Sequence, residues 1–485
     1  MRRSIHLFLL ALALVPVGCG GRGVRKDDAP VVVSAIGGEA RPGDPSADPL
    51  DTAQRVLMGA TAQGLVRFDA AGQIEPGLAE RWIVMDEGRS YIFRLREAYW
   101  FDGQPVTAAQ VVGVLRRASA AGSRNALAPF LAVVDEVVAM TPQVIEVRLK
   151  RPRPDLLKLF AQPELAVFRP ARLDGSGPFR SQSGGRSVRL VPVPAPGSED
   201  GAPEPEETVR LFGERASAAI ARFRAQASDL VLGGSFADWP IVVQAGIAPA
   251  NVRTDPAQGL FGLAVVNRQG FLADAANRAA IAMAIDRAAL VQGLQSDWDP
   301  VETLLPAQLD SASAPAQPQW VGLALDARRE AARTRVAAWR RAHPEPLIMR
   351  VALPGGPGGT LVWARVAEAL LRIGIQPQRV YIDARADLRL IDQVAPYDSG
   401  RWFLATACVA CSEPVAALIE AARDAPDLAT RSQRIAEADA ALTADATYIP
   451  IAQPFRWSLV ALRLGAWQGN ARAWHPLNHL RNDME

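Results

Sequence analysis

Cysteine and histidine are scarce in this chain, with three of the first and four of the second among 485 residues. So small a supply excludes a disulfide-dense scaffold and leaves few donors for a metal. Beyond residue 18 the histidines are His343, His475 and His479, and none has ligand spacing to Cys408 or Cys411. No metal and no cofactor is expected. Catalytic motifs are missing as well: there is no Gly-x-Ser-x-Gly elbow, no Gly-x-x-x-x-Gly-Lys phosphate loop and no His-Glu-x-x-His helix. Without those parts no catalytic residue is assigned and no enzyme activity is expected. Charge of one sign is not in excess either. A net charge of +2 implies no polyanion partner, and the arginine-rich stretch at 326–342, interrupted by Asp326 and Glu330, reads as a solvated helix face rather than a nucleic-acid surface. After residue 18 no apolar run is long enough for a bilayer span, which needs about 20 residues.

What the chain does have begins at its first residues. Arg2 and Arg3 precede an apolar run at 5–17 and then Gly18-Cys19-Gly20-Gly21, the layout of a secretory signal with a small-residue cleavage site at 1–18. Cleavage before Cys19 leaves a cysteine whose thiol can carry lipid, and the site resembles the bacterial lipoprotein signal, with Pro16 as a departure. A plain secretory peptide with an incidental cysteine is the alternative. By the lipoprotein sorting pattern, Gly20 in place of an aspartate favours the outer membrane and leaves the inner one open. The membrane contact expected is this lipid alone, since each buried acyl CH₂ adds about 0.8 kcal/mol of membrane affinity. Cys408 and Cys411 are spaced to close a tight disulfide loop in an oxidising compartment; a redox Cys-x-x-Cys is the other reading.

Periodicity gives the organisation. Tyr91, Phe93 and Leu95 alternate with Arg94 and Arg96 as a half-buried strand, and residues 143–149 read as another. Thr107 and Gln110 form a capping-box pattern ahead of a helix that buries Val111, Val112 and Leu115. Pro152 and Pro154 end the second strand before a short helix near Leu156, and residues 192–207 read as an exposed loop. In the second half, 263–266 is expected as a buried strand ending at Asn267, and 274–294 as one helix capped by Asp274. Residues 349–380 read as a strand, a Gly-Pro loop to Gly359, a helix through Leu371 and a strand near Val380, a β-α-β unit. A strand through Leu404 is expected next, then a helix from Pro414 and one at 428–444 with Ile435, Ala438 and Leu442 inward. Pro450 is expected to stop that helix before a strand over 451–460.

Several stretches then carry a family resemblance: Gly64-Leu65-Val66, Pro76-Gly77-Leu78-Ala79-Glu80-Arg81-Trp82, Tyr91 to Arg96, and Phe101-Asp102-Gly103-Gln104-Pro105-Val106-Thr107-Ala108. Gly175-Ser176-Gly177-Pro178-Phe179, Asn267, Ala282 to Arg287, Ile373-Gly374-Ile375 and Tyr448-Ile449-Pro450-Ile451 follow in the same order. Together, over about residues 30–480, they resemble the family 5 extracellular solute-binding proteins, the peptide/nickel/opine group that serves ABC importers. The resemblance implies an α/β fold of the type II periplasmic-binding-protein kind, with two main lobes, a hinge and an inserted lobe. It maps lobe I to 19–50, 175–258 and 455–485, lobe II to 51–174 and lobe III to 259–454. It further implies a monomer in the periplasm that holds a small organic or peptide-like solute between lobes I and III, with an ABC permease and ATPase as partners.

The departures fall where that family reads its ligand. Peptide-binding members carry a Gly-Trp-x-x-Asp segment whose aspartate pairs with the α-amino group; alignment on Glu413-Pro414 puts Ala410 at the aspartate and Ala407 at the tryptophan. Losing such a charge-assisted bond costs about 1.5–3 kcal/mol. The loop at 353–359 also lacks the arginine that dipeptide-type members use for the carboxylate end, while Arg350 lies on the strand before it. The residues left as candidate cleft lining are Gln54, Trp239, Asn267, Trp402 and the Cys408, Val409, Ala410, Cys411 loop. The cysteine loop is the strongest of these, because the resemblance places it where the family contacts ligand. A family 5 fold turned to sensing or to periplasmic scaffolding without transport is the alternative function.

Overall fold

The computed structural model describes residues 27–194 and 203–481; Cys19 and the signal segment lie outside them, as does the middle of the 192–207 loop. Among the described residues no helix is long and apolar enough to cross a membrane. Three large sheets organise the chain. A seven-stranded sheet draws on Val31–Ile36, Phe179–Gly184, Ser187–Pro192, Val209–Glu214, Leu230–Ser235, Val252–Thr254 and Arg456–Val460, with Val31–Ile36 parallel to both Val209–Glu214 and Leu230–Ser235. A five-stranded sheet takes Gly259–Val265, Ile348–Leu353, Gln376–Tyr381, Leu388–Val394 and Tyr448–Ala452. An antiparallel four-stranded sheet of Ala79–Met85, Ser90–Leu95, Val134–Thr141 and Val144–Leu149 falls in sequence between the first two strands of the seven-stranded sheet.

Side-chain alternation decides what each sheet buries. Val31, Val33 and Ala35 point to one face with Leu230 and Leu232, and there they meet Ala53, Val56, Leu57 and Ala60 of the Thr52–Thr61 helix. Val231, Trp457 and Leu459 point to the other face, into a second core that continues into the five-stranded sheet. A third core joins Tyr91, Phe93 and Val147 of the four-stranded sheet to Trp402, Phe403 and Ile435. The capping box of Thr107 and Gln110 starts the Ala108–Ser119 helix, whose Val111, Val112 and Leu115 are buried. The β-α-β unit is Ile348–Leu353, Gly356–Arg372 and Gln376–Tyr381, its strands parallel. Its helix starts at Gly356, inside the stretch read as a loop. Gly358 makes that start possible, since a Cβ there would lie 1.9 Å from the Phe236 carbonyl oxygen.

Four other local expectations are corrected. The 274–294 helix is two helices, Ala275–Ala284 and Arg287–Gln292, because Asp286 turns out of the first and caps the second through the Ala289 amide. The strand expected through Leu404 is a helix, Gly400–Ala407, buried along most of its length, and the true strand lies earlier at Leu388–Val394. Short apolar runs such as Trp402-Phe403-Leu404 do not reveal their period. The strand expected over 451–460 is two strands in different sheets, Tyr448–Ala452 and Arg456–Val460. Finally, the Leu428–Asp445 helix ends before Pro450, at Ala446 in the left-handed region (φ 51°). Pro450 sits within the edge strand of the five-stranded sheet, where a missing amide is tolerated.

Candidate functional site

A cavity of about 670 Å³ opens where residues from all three regions converge. The Thr52–Thr61 helix presents Thr52, Arg55 and Val56, the i, i+3, i+4 set of one face. From the seven-stranded sheet come Leu232, Gly233, Ser235 and Arg456, and from the five-stranded sheet Asp392, Gln393 and Val394. Trp402 and Thr406, four apart on the Gly400–Ala407 helix, add a second helical wall. Phe130, Gln162 and Glu164 enter from the four-stranded region, and Arg472, Trp474 and His475 from the C-terminal segment.

Ion pairs set the character of the walls. Arg55 Nε lies 2.7 Å from Glu164 Oε1, with its guanidinium 5.4 Å from the Trp474 ring centre. Arg456 donates to Asp392 Oδ1 at 2.8 Å and to the Asp392 carbonyl at 3.3 Å. Burial pushes the Asp392 carboxyl up, while Arg456 pulls it the other way. Arg472 donates to the Ala395 carbonyl at 2.5 Å and pairs with Asp398; burial lowers its pKa to about 10. Asp398 is gripped from a second side by Lys158, and Gln162 donates to the neighbouring Pro396 carbonyl at 2.6 Å. The segment from Ala395 to Asp398 is thus held by side chains from both other regions.

Of the eight residues expected to line a cleft, the structure puts Trp402 at this cavity and the others elsewhere. Gln54 is occupied in a capping box with Asp51: its amide donates to Asp51 Oδ1 at 2.8 Å and its side-chain oxygen accepts from the Asp51 amide at 3.1 Å. Trp239 is buried edge-on against Phe455, ring centres 5.1 Å apart. Asn267 donates to Asp387 Oδ1 at 2.9 Å. Burial raises that carboxyl, but hydrogen bonds from Arg350 and Asn267 outweigh it and hold Asp387 below its ordinary value. Arg350 is therefore committed to Asp387, at 2.9 Å, and not to a ligand carboxylate. Cys408 and Cys411 are joined by a disulfide, Cα atoms 5.2 Å apart. Their loop turns toward Arg268, which donates to the Ala410 carbonyl at 3.3 Å and pairs with Asp445 at 2.5 Å, while Val409 faces solvent.

Sequence reasoning missed Arg55, Glu164, Asp392, Arg456 and Arg472. One signal was available: Asp51 and Gln54 have capping-box spacing, which commits Gln54 to its own helix start and leaves Arg55 as the residue free to face inward. The C-terminal segment around Arg472 has no regular structure, so no period pointed to it. Among the described residues no cluster of three or more His, Cys, Asp or Glu is placed to hold a metal.

A cavity lined from both large sheets, with residues of the insertion along one side, is the layout of a two-lobed α/β fold of the periplasmic-binding-protein kind. Residues 73–377, more than half of the chain, match the family described as bacterial extracellular solute-binding proteins, family 5 Middle, and the chain belongs to that family. Its curated relatives are solute-binding proteins. The probable deoxycholate-binding periplasmic protein YgiS of Escherichia coli is 32% identical over 157 residues, 28% of this chain and 29% of that protein. The periplasmic oligopeptide-binding protein OppA of Salmonella typhimurium is 24% identical over 311 residues, 57% of this chain and 56% of that one. The chain thus spans less than two thirds of the curated relatives it matches. Among solved structures, the murein tripeptide binding protein MppA of Escherichia coli superposes with a TM-score of 0.78 at 19% identity, covering 94% of this chain and 99% of that one. Haemophilus influenzae OppA gives 0.77 at 17%, covering 93% and 99%. At such identities these likenesses speak to the fold.

Proposed function

We propose that the protein captures a peptide-like or other small organic solute in the 670 Å³ cavity and delivers it to an ABC permease and ATPase in the inner membrane. The observation that carries this reading is the cavity's construction. It falls within the roughly 300–1,000 Å³ of small-molecule sites, and both main sheets and the insertion contribute walls, so hinge closure would enclose a solute. The names of the relatives, which speak of deoxycholate, oligopeptide and glutathione binding, agree with an organic solute. We assign residues 19–50, 175–258 and 455–485 to a first lobe, 51–174 to the insertion and 259–454 to the third lobe. Export to the periplasm and a lipid on Cys19 complete the reading, with the chain acting as a monomer.

Thermal-shift screening of the purified protein against peptides, opines, bile acids and metal chelates tests the binding. A true ligand at 100 times its dissociation constant adds about 2.7 kcal/mol of stability, and silence across every class would turn the reading toward a scaffold. Labelled palmitate should enter the wild type and not Cys19→Ser; equal labelling of both would remove the anchor.

A further inference from the structure

We infer that the solute is an organic anion, a carboxylate with no free ammonium, seated against Arg55. This rests on the reading that the cavity is the ligand site. Both carboxylates that line it are already taken, Glu164 by Arg55 at 2.7 Å and Asp392 by Arg456 at 2.8 Å. The second oxygen of Glu164 has no hydrogen-bond partner, but it is covered and out of a solute's reach. A ligand ammonium would therefore have to share its carboxylate with an arginine, and burying an ammonium without a partner of its own is costly.

For an anion the wall offers arginine donors instead. Arg472 also lines the cavity, and its partner Asp398 stands behind the wall, shared with Lys158. Counting those outer groups too, the four cations Arg55, Arg456, Arg472 and Lys158 meet four carboxylates, Glu164, Asp392, Asp398 and the Asp255 that lies 3.2 Å from His475, so what favours an anion is donor access rather than net charge. In a partly enclosed space charges are weakly screened, so an unused donor fork counts for more than it would in bulk water. Among the lining arginines Arg55 is the accessible one, its side chain 37% exposed against 17% for Arg456 and 5% for Arg472. Its guanidinium has donors beyond those turned to Glu164 and Gln162, and its fork suits a carboxylate. Phe130, Trp402 and Trp474 offer aromatic surface to the rest of the solute.

Calorimetric titration of the purified full chain with matched probes tests this: deoxycholate against its methyl ester, and N-acetylated dipeptides against their amides and their free-amine amides. Acids should bind about ten- to a hundredfold more tightly than their neutral partners, the ratio of one charge-assisted hydrogen bond. Arg55→Gln should erase that ratio, and Arg55→Lys should keep part of it. Melting curves of both variants separate a folding defect from a lost contact. Neutral or ammonium-bearing probes that bind as well as the acids would overturn the anion and leave solute binding in place. A panel with no binder of any charge would overturn both.

Discussion

The two ends of the Gly400–Ala407 helix have opposite roles. At its N-terminal end Ala395 to Asp398 is clasped by Lys158, Gln162 and Arg472, and Trp402 faces the cavity. At its C-terminal end the Cys408–Cys411 loop turns away to Arg268 and Thr447. The family motif marks the loop after the helix as the place to look for ligand, yet the open space lies along the helix itself, against Trp402 and Thr406. A motif fixes where a segment lies along the chain, and a single helical turn then decides which side chains reach the cleft.

The widest separation is expected between neighbours on that helix. Trp402→Ala and Phe403→Ala should each lose about 3–5 kcal/mol of stability, as large buried aromatics do. Only the first, by denaturant titration alongside calorimetry, should also weaken a solute that the wild type binds, by tenfold or more. Equal affinity loss in both would abolish the distinction between the two faces. Next in size, Asp398→Asn leaves the buried Arg472 guanidinium without its counter-charge. About 3 kcal/mol should be lost, the low end for a broken buried pair because the carboxylate is a third exposed. An unchanged unfolding midpoint would show that the clasp contributes nothing.

Asp439, on the Leu428–Asp445 helix, provides a test through pH. Burial raises its pKa to about 6 from an ordinary 3.8, against the hydrogen bond from the Ala316 amide. For an acid raised in the folded state, stability is full below 3.8 and falls as pH climbs through about 6. Asp439→Asn keeps the neutral form, so it should match the wild type near pH 4 and exceed it by roughly 2–3 kcal/mol at pH 8. Thermal melts across that window decide it; a constant difference would show that Asp439 does not titrate there. The smallest effect belongs to the cysteine loop. Changing Cys408 and Cys411 to serine together should cost no more than about 2 kcal/mol, because so short a loop has little closure entropy to lose. Ligand affinity should stay within about twofold, and a larger loss would return the loop to the binding wall.

Elements whose signal is local were legible. The Ser90–Leu95 strand, the capped Ala108–Ser119 helix and the Leu428–Asp445 stripe follow from alternation, a capping box and i, i+3, i+7 spacing. The family followed from motifs spread over most of the chain. Errors gathered where a short apolar run or a proline had to be read without its surroundings, as at Leu404 and Pro450. Trp239 and Asn267 show the limit for sites. An aromatic or an amide near a strand end has the same composition in a core as in a cleft, and here Phe455 and Asp387 claim them.

The sequence by itself determined the family, the order of strands and helices over most of the chain, and the absence of the usual catalytic motifs, because each is written in neighbouring residues. Only the tertiary structure decided what lines the cavity. Arg55, Glu164, Asp392, Arg456 and Arg472 are separated by up to 417 positions, and their pairing across three regions is a property of packing that no local period records.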